Sequence, residues 1–230
     1  MKAMKKEDEY FIFDKPRIES TIYKMKYIVT KAQCVYYRII KYMLRKKASD
    51  EKKYYVSICG IFKDEELYLE EWIDYHKTIG VDHIYLYNNN SSDNYMRIIK
   101  KYIDTGFVEL IDWPYNYAQM EAYRDCFNKF RSETAWLGFI DIDEFVVPVD
   151  DENIKEFFKK HQYEQSILIY WKMFGSNGLV HRDVSKPVIR DFTSCWPKYD
   201  DIGKCFVNTI FEISDKQKIF HHMLWTGWGG

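Results

Sequence analysis

No internal repeat, no low-complexity segment and no long apolar run interrupts the 230 residues. Crossing a bilayer as a helix takes about 20 consecutive apolar residues, and no stretch approaches that. No signal peptide is visible either, so the expectation is a protein acting on the cytosolic side of whatever membrane it meets. The five cysteines, Cys34, Cys59, Cys126, Cys195 and Cys205, form no C-x-x-C pair and are odd in number. That pattern argues against a zinc site or a disulfide framework and for free thiols in a reducing compartment. Charge of one sign is also missing overall, the formal net being −1. What is abundant is aromatic: 20 Tyr, 15 Phe and 7 Trp, within 47% hydrophobic residues, exclude disorder for most of the chain. A chain of this size buries one good core, giving a single domain with an appendage.

The appendage is residues 1–50 and the globular domain residues 51–230. Residues 1–16 read as a loose arm. From Ile18 the apolar residues Ile18, Ile22, Met25, Val29, Ala32, Tyr36, Ile39 and Met43 recur in steps of four and three, which predicts a helix with one apolar stripe. Residues 17–47 hold nine Lys or Arg against one acid, Glu19, a local charge of +8. A basic amphipathic helix of this kind suits an anionic membrane surface, each cation near it contributing on the order of 1 kcal/mol. Packing of the stripe on the domain, or on a second copy as a short coiled coil, is the competing reading. Nucleic acid is not expected, because the basic patch is not joined to a recognisable binding module.

Beyond the polar link 48–53, the pattern predicts a buried strand over Tyr54–Phe62. A helix follows, with Tyr68, Trp72, Tyr75 and Ile79 inward, ended by Gly80. A strand over Val81–Tyr87 follows, then the polar run Asn88–Asp93, with Ser92 or Asp93 placed to cap the next helix. Gly106 ends that helix before a strand over Phe107–Trp113. A helix from Ala118 to Phe130 leads to a strand carrying W-L-G-F-I-D-I-D-E-F. Later come a helix over Ile154–His161, a strand over Ile167–Phe174, strand-like pieces at Val188–Phe192 and Lys204–Ile210, and Phe220-His221-His222. Alternating strands and helices predict an α/β fold with a mostly parallel sheet and flanking helices. Ligands of such sheets bind beyond the carboxyl ends of the strands, where Lys63–Glu65, Asn88–Asp93 and Asp141–Glu144 would meet.

In a regular strand Asp141 and Asp143 point the same way and Ile142 the other. Two carboxylates held at the edge of a core repel and lose solvation, and a Mg²⁺-like ion that also takes phosphate oxygens compensates both. A bare D-x-D is a weak signal, but the apolar strand around it points to a site.

These motifs taken together have a resemblance. The run Y-V-S-I-C-G-I-F-K-D-E, then Y-L-x-E-W-I-x-Y-H, G-V-D-H-I-Y-L-Y-N-N-N-S-S-D, Gln119 and the W-L-G-F-I-D-I-D-E-F block are similar to glycosyltransferases of families 2 and 92, formerly the domain of unknown function 23 group. The similarity runs from about Tyr54 to His222. It implies a GT-A (Rossmann-like) fold that binds a nucleotide-sugar, usually a UDP-sugar, through a divalent ion, usually Mn²⁺ (or Mg²⁺). Carried over by position, Asp141 and Asp143 become the metal-binding pair, with Asp143 the more direct ligand and His221 or His222 a late metal ligand. The same correspondence gives the nucleotide Lys63, Asp64, Glu65, Asn88 and Asp93, and gives the diphosphate Gln119, Arg124 and Lys204. Asn88 stands where the family usually has Asp. Trp171, Phe174, Gly175 and Ser176 resemble the W-x-x-F-G-S element, placed on the acceptor side, where an indole face suits a sugar ring. Asp200, Asp201 and Glu144 are the candidates for the base that deprotonates an acceptor hydroxyl.

The implied reaction is inverting transfer of a sugar to a glycan or lipid-linked acceptor in surface polysaccharide synthesis at the inner face of the membrane. Relatives generally continue past the late His, so part of an acceptor site could lie outside this sequence. A non-catalytic carbohydrate-binding or assembly module on a decayed transferase fold is the alternative, motivated by Asn88 and that C-terminus. A nucleotidyltransferase or phosphohydrolase would want a phosphate-cradling Gly-rich loop, which the chain lacks.

Overall fold

The structure, a computed structural model, describes residues 52–116, 119–162, 164–199 and 202–210, isolated helical positions at Ala32, Val35 and Tyr36, and the backbone of 219–220 and 223–224. The basic amphipathic helix otherwise lies outside the described residues. In chain order the elements are β1 (Tyr54–Phe62), α1 (Glu66–Thr78), β2 (His83–Asn88), α2 (Tyr95–Asp104), β3 (Val108–Asp112), α3 (Gln119–Phe130) and β4 (Thr134–Phe139). After them come α4 (Ile154–Lys160), β5 (Ser166–Tyr170), β6 (Phe174–Gly175), α5 (Val188–Asp191), β7 (Ser194–Cys195), β8 (Gly203–Asn208), β9 (Ile219–Phe220) and β10 (Met223–Leu224).

The main sheet runs β3-β2-β1-β4-β8-β5. The first four strands are parallel, and β8 runs antiparallel to both β4 and β5. This is the mostly parallel α/β sheet with flanking helices that the sequence predicts. Both faces of its central strands β1, β2, β4 and β8 are buried, which explains why those strands read as near-continuous apolar runs. Val56, Ile58, Ile84, Leu86, Trp136 and Phe206 join α1, α2 and α4 on one side through Leu69, Trp72, Ile99, Tyr102 and Phe158. The alternate residues Cys59, Tyr85, Tyr87, Leu137, Phe139, Cys205 and Val207 meet α3 on the other through Ala122, Tyr123, Cys126 and Phe127.

Local chemistry sets the ends of the parallel units. Gly80 at φ +100° and Gly106 at φ +72° turn the chain after α1 and α2 in the left-handed region open to glycine, as the sequence predicts. Asn153 caps α4 by accepting hydrogen bonds from the N–H of Lys155 and Glu156.

Three expectations change. First, α1 buries Leu69, Trp72, Ile73 and His76, while Tyr68, Tyr75 and Ile79 are half-buried, so the inward face is rotated from the expected stripe. Second, β4 stops at Phe139, and Asp141–Glu144 form a turn closed by the Glu144 N–H on the Asp141 carbonyl at 3.1 Å. Asp141 and Asp143 are therefore not alternate residues of one strand. Third, Val188–Asp191 is a single helical turn rather than a strand, its first two N–H groups taken by the Glu71 carboxylate of α1 at 2.6 and 3.1 Å.

Candidate functional site

The carboxyl ends of β1, β2 and β4 open onto three polar loops, and hydrogen bonds fix the first two of them to each other. Asp64 sits at φ 55° between β1 and α1, a left-handed conformation that Asp tolerates. Its Oδ1 accepts from the Ser92 N–H (2.6 Å), the Ser92 hydroxyl (3.1 Å) and the Asp93 N–H (3.3 Å). Those bonds hold the Asp64 carboxyl below its ordinary value. In return the Asp64 N–H donates to the Ser91 hydroxyl, and Asp93 Oδ2 accepts the Glu66 N–H at 2.7 Å. Asp93 thus caps the start of α1. It does not cap α2, where Asn94 holds the N-cap position with no side-chain bond. Asp64 and Asp93 staple the first two loops together.

Asn88, at the end of β2, is buried and uses both ends of its amide. Nδ2 donates to the Tyr95 hydroxyl (3.0 Å) and to Asp112 Oδ1 (3.2 Å), while Oδ1 accepts from the Ser91 N–H (2.9 Å). A carboxylate in this position would face the Asp112 carboxylate, so the neighbouring strand accounts for the amide.

Asp141 is the hub of the next layer. Its Oδ1 accepts from Gln119 Nε2 and from the Tyr123 hydroxyl, both at 2.8 Å, and its Oδ2 takes Lys204 Nζ at 2.6 Å. Gln119 and Tyr123 are four apart on α3 and so share a face. The β4–β8 register, Trp136↔Asn208 and Gly138↔Phe206, carried two residues on, brings Lys204 level with the start of the turn. The Lys204 side chain is only 4% exposed, and its ammonium also pairs with Glu144 Oε2 at 3.3 Å and lies 5.5 Å from the centre of the Trp171 ring. Glu144 Oε2 accepts the Asp141 N–H at 3.0 Å. Burial, with the Asp141 charge adding to it and Lys204 opposing, pushes the Glu144 carboxyl up to about 7. Burial, with Asp141 beside it, raises the Tyr123 hydroxyl far above its ordinary value, so it remains a donor.

Asp143 has a different environment. It is exposed at the crest of the turn, and its charge, after burial, helps raise the carboxyl of Glu65. Asp143 and Glu65 fit an ion of the Mg²⁺ type, which accepts one or two carboxylates and keeps its other positions for water and phosphate. Asp141 already accepts two hydrogen bonds on Oδ1 and one on Oδ2, which leaves it a single lone pair, on Oδ2, to offer an ion. Among the described residues no group of three His, Cys, Asp or Glu side chains forms a ready-made metal cage.

The structure thus brings together Glu65, Asp143, Asp141, Glu144, Gln119, Lys204 and Trp171. Lys63 is exposed beside this group. Arg124 turns away, pairing with Glu121 at 3.3 Å on the outer face of α3. Phe174 and Gly175 are exposed on β6 and Ser176 is half-buried after it. Asp200, Asp201, His221 and His222 lie outside the described residues. Sequence reasoning missed Tyr123 as a partner of Asp141, although its spacing from Gln119 carried the signal. It also missed the pairing of Glu144 with Lys204.

The family described as glycosyltransferase family 92 matches residues 52–215. A glycosyltransferase family 92 protein of Ricinus communis is 31% identical over 136 residues, covering 57% of this chain and 25% of that protein. The galactan β-1,4-galactosyltransferase of Arabidopsis thaliana is 28% identical over 175 residues, covering 61% of this chain and 34% of that protein. The chain therefore spans about a quarter to a third of the length of these relatives. The crystal structure of S. aureus TarS in complex with UDP aligns with a TM-score of 0.42 at 16% identity, covering 56% of this chain and 38% of that chain.

Proposed function

The chain belongs to glycosyltransferase family 92, and from that premise we propose that it transfers a sugar, a hexose from a UDP-sugar, to a hydroxyl of a glycan or lipid-linked acceptor with inversion. The observation that carries this reading is the buried Lys204 paired with the half-buried Asp141 and Glu144 beside the exposed Asp143, at the carboxyl ends of parallel strands, where α/β sheets bind nucleotides. The named activity of the Arabidopsis relative, a galactosyltransferase, supports the hexosyl part.

In this reading Asp143, with Glu65, holds a divalent ion, Mn²⁺ or Mg²⁺, that supplies Lewis-acid charge to the departing diphosphate when bound. Lys204 adds fixed positive charge from beneath, oriented by Asp141, and Gln119 and Tyr123 hold Asp141 in turn. Glu144, poised near neutrality, is the described candidate for the base that takes the acceptor proton. Trp171 offers a ring face to a sugar. The setting proposed is polysaccharide synthesis at a cytosolic membrane face, with residues 17–47 on anionic lipid.

Asp143→Asn tests the assignment. Mn²⁺-dependent release of UDP from a UDP-sugar, with oligosaccharide acceptors present, should fall by roughly a hundredfold or more while the circular dichroism stays that of the wild type. Undiminished release by the variant would sink the site.

A further inference from the structure

The E-W-I-x-Y-H part of the motif, Glu71–His76, has no role in the site described so far. Trp72, Tyr75 and His76 lie at i, i+3 and i+4 on α1 and so reach one region. That region is the 141–146 turn. The Trp72 indole N–H is shared between the Asp141 and Glu144 carbonyl oxygens, each at 2.9 Å, the same two residues whose backbone bond closes the turn. The Tyr75 hydroxyl donates to the Val146 carbonyl at 3.1 Å, and His76 Nε2 faces the Val146 N–H at 3.5 Å. For Nε2 to accept, Nδ1 must carry the proton, and it sits 2.8 Å from the Trp72 carbonyl. The Phe145 ring packs edge-on against Tyr75 and stacks over His76.

The slot that receives the indole is built for it. A Cβ on Gly60 of β1 would come within 3.2 Å of Trp72 Cη2, 3.1 Å of Ile142 Cδ1 and 3.3 Å of the Ile140 carbonyl oxygen. The strand backbone, the indole and the underside of the turn therefore meet at one point. Filling that slot needs only a ring. Only an indole, among the apolar rings, also carries a donor to the two carbonyls.

We propose that Trp72, Tyr75 and His76 form a clamp that sets the 141–146 turn, and through it the carboxylates of Asp143 and Glu144, for a nucleoside diphosphate. The inference rests on the donor-binding reading above. These are positioning residues: their polar atoms are spent on the backbone of the 141–146 turn, and their effect on the donor passes through that turn peptide. A core-only role predicts instead that Trp72→Phe, which keeps a ring in the slot, leaves nucleotide affinity unchanged.

The test uses the full chain in two arms. Amide hydrogen exchange is followed at Asp141, Glu144 and Val146, with the β1 amides as reference, in the wild type, Trp72→Phe and the milder Tyr75→Phe. Trp72→Phe removes the indole donor that the two carbonyls share and leaves only the Glu144 N–H on the Asp141 carbonyl, so the turn amides should exchange roughly tenfold to a hundredfold faster while β1 is unchanged. Tyr75→Phe should give a smaller change centred on Val146, and it supplies the answer should Trp72→Phe fail to fold. Calorimetric titration of UDP with Mn²⁺ then compares the wild type, each clamp variant, Asp143→Asn and the double variants. A clamp variant should weaken binding in proportion to its loosening of the turn, and this loss should vanish in the Asp143→Asn background, because both changes act through one group. Unchanged exchange at the turn, unchanged affinity, or losses that simply add would each overturn the clamp. If the wild type binds no UDP, the donor reading fails, and the exchange arm alone decides whether α1 holds the turn.

Discussion

Replacing Lys204 by methionine should destabilise the protein by roughly 1–3 kcal/mol at pH 8.5, because it leaves two part-buried carboxylates without their cation. Methionine keeps most of the side-chain volume, so the loss is one of charge, not packing. The ammonium it removes lies 2.6 Å from Asp141 Oδ2 and 3.3 Å from Glu144 Oε2, in a side chain 4% exposed. The effect has a pH signature whose sign follows from Glu144. That carboxyl is already raised to about 7 in the folded protein, chiefly by burial, with Lys204 acting to lower it. A carboxyl raised on folding costs stability as pH climbs from its unfolded value through its folded one. Without Lys204 the folded value rises further, and the cost extends to higher pH. Urea unfolding should therefore show a large deficit for Lys204→Met at pH 8.5 and a smaller one at pH 6, where Glu144 holds its proton. A variant as stable as the wild type at pH 8.5 would mean that the ammonium is not held between these two groups.

Gly203→Ala, one residue earlier, should damage the fold and the site together. A Cβ at Gly203 would overlap the Ile169 carbonyl oxygen and lie 2.6 Å from the Ile169 carbonyl carbon and 2.8 Å from Tyr170 Cα. These are backbone atoms of β5, the strand paired to β8, and no side chain there can yield. The two strands must part, at a cost of roughly 3 kcal/mol or more. Because Lys204 follows directly, its ammonium moves off Asp141 as well, so nucleotide binding should weaken beyond what lower stability explains. Gly138→Ala is the informative contrast. Its Cβ would meet the ring of the buried Phe206, a side chain and not the strand backbone, so the strain falls on core packing and the variant should cost less and leave the Lys204–Asp141 pair intact. Equal midpoints for the two variants would contradict this description of β8.

The parts of the fold that were legible in the sequence are those set by local chemistry. Residues Tyr54–Phe62 form the predicted strand because apolar residues fill both of its faces. The helix ends at Gly80 and Gly106 follow from positions that need a positive φ. The D-x-D segment misled for a physical reason. Ile140, Ile142 and Val146 are all buried beneath the turn, and that alternation imitates a strand where the backbone has already left the sheet. Asp93 has the composition of a cap for α2, yet the approach of the β1–α1 loop offers it the Glu66 N–H instead. Val188 to Phe192 looks like a strand by β-branching, and only the Glu71 carboxylate, 117 residues earlier in the chain, explains its helical turn. Within the site, the D-x-D acids, Glu144, Gln119 and Lys204 were visible from motif and resemblance. That Asp141 is spent on Lys204 while Asp143 stays free was not, since it depends on where an antiparallel strand of distant sequence starts.

The central claim is that the carboxyl ends of β1, β2 and β4 bind a nucleoside diphosphate through Asp143 and a divalent ion. Calorimetric titration of UDP, with Mn²⁺ and again after chelation, into the wild type and Asp143→Asn tests it most directly. Saturable binding by the wild type that weakens at least about tenfold on chelation, and equally on Asp143→Asn, is the predicted result. Binding that is indifferent to both the ion and Asp143, or no binding by the folded wild-type chain, would contradict it.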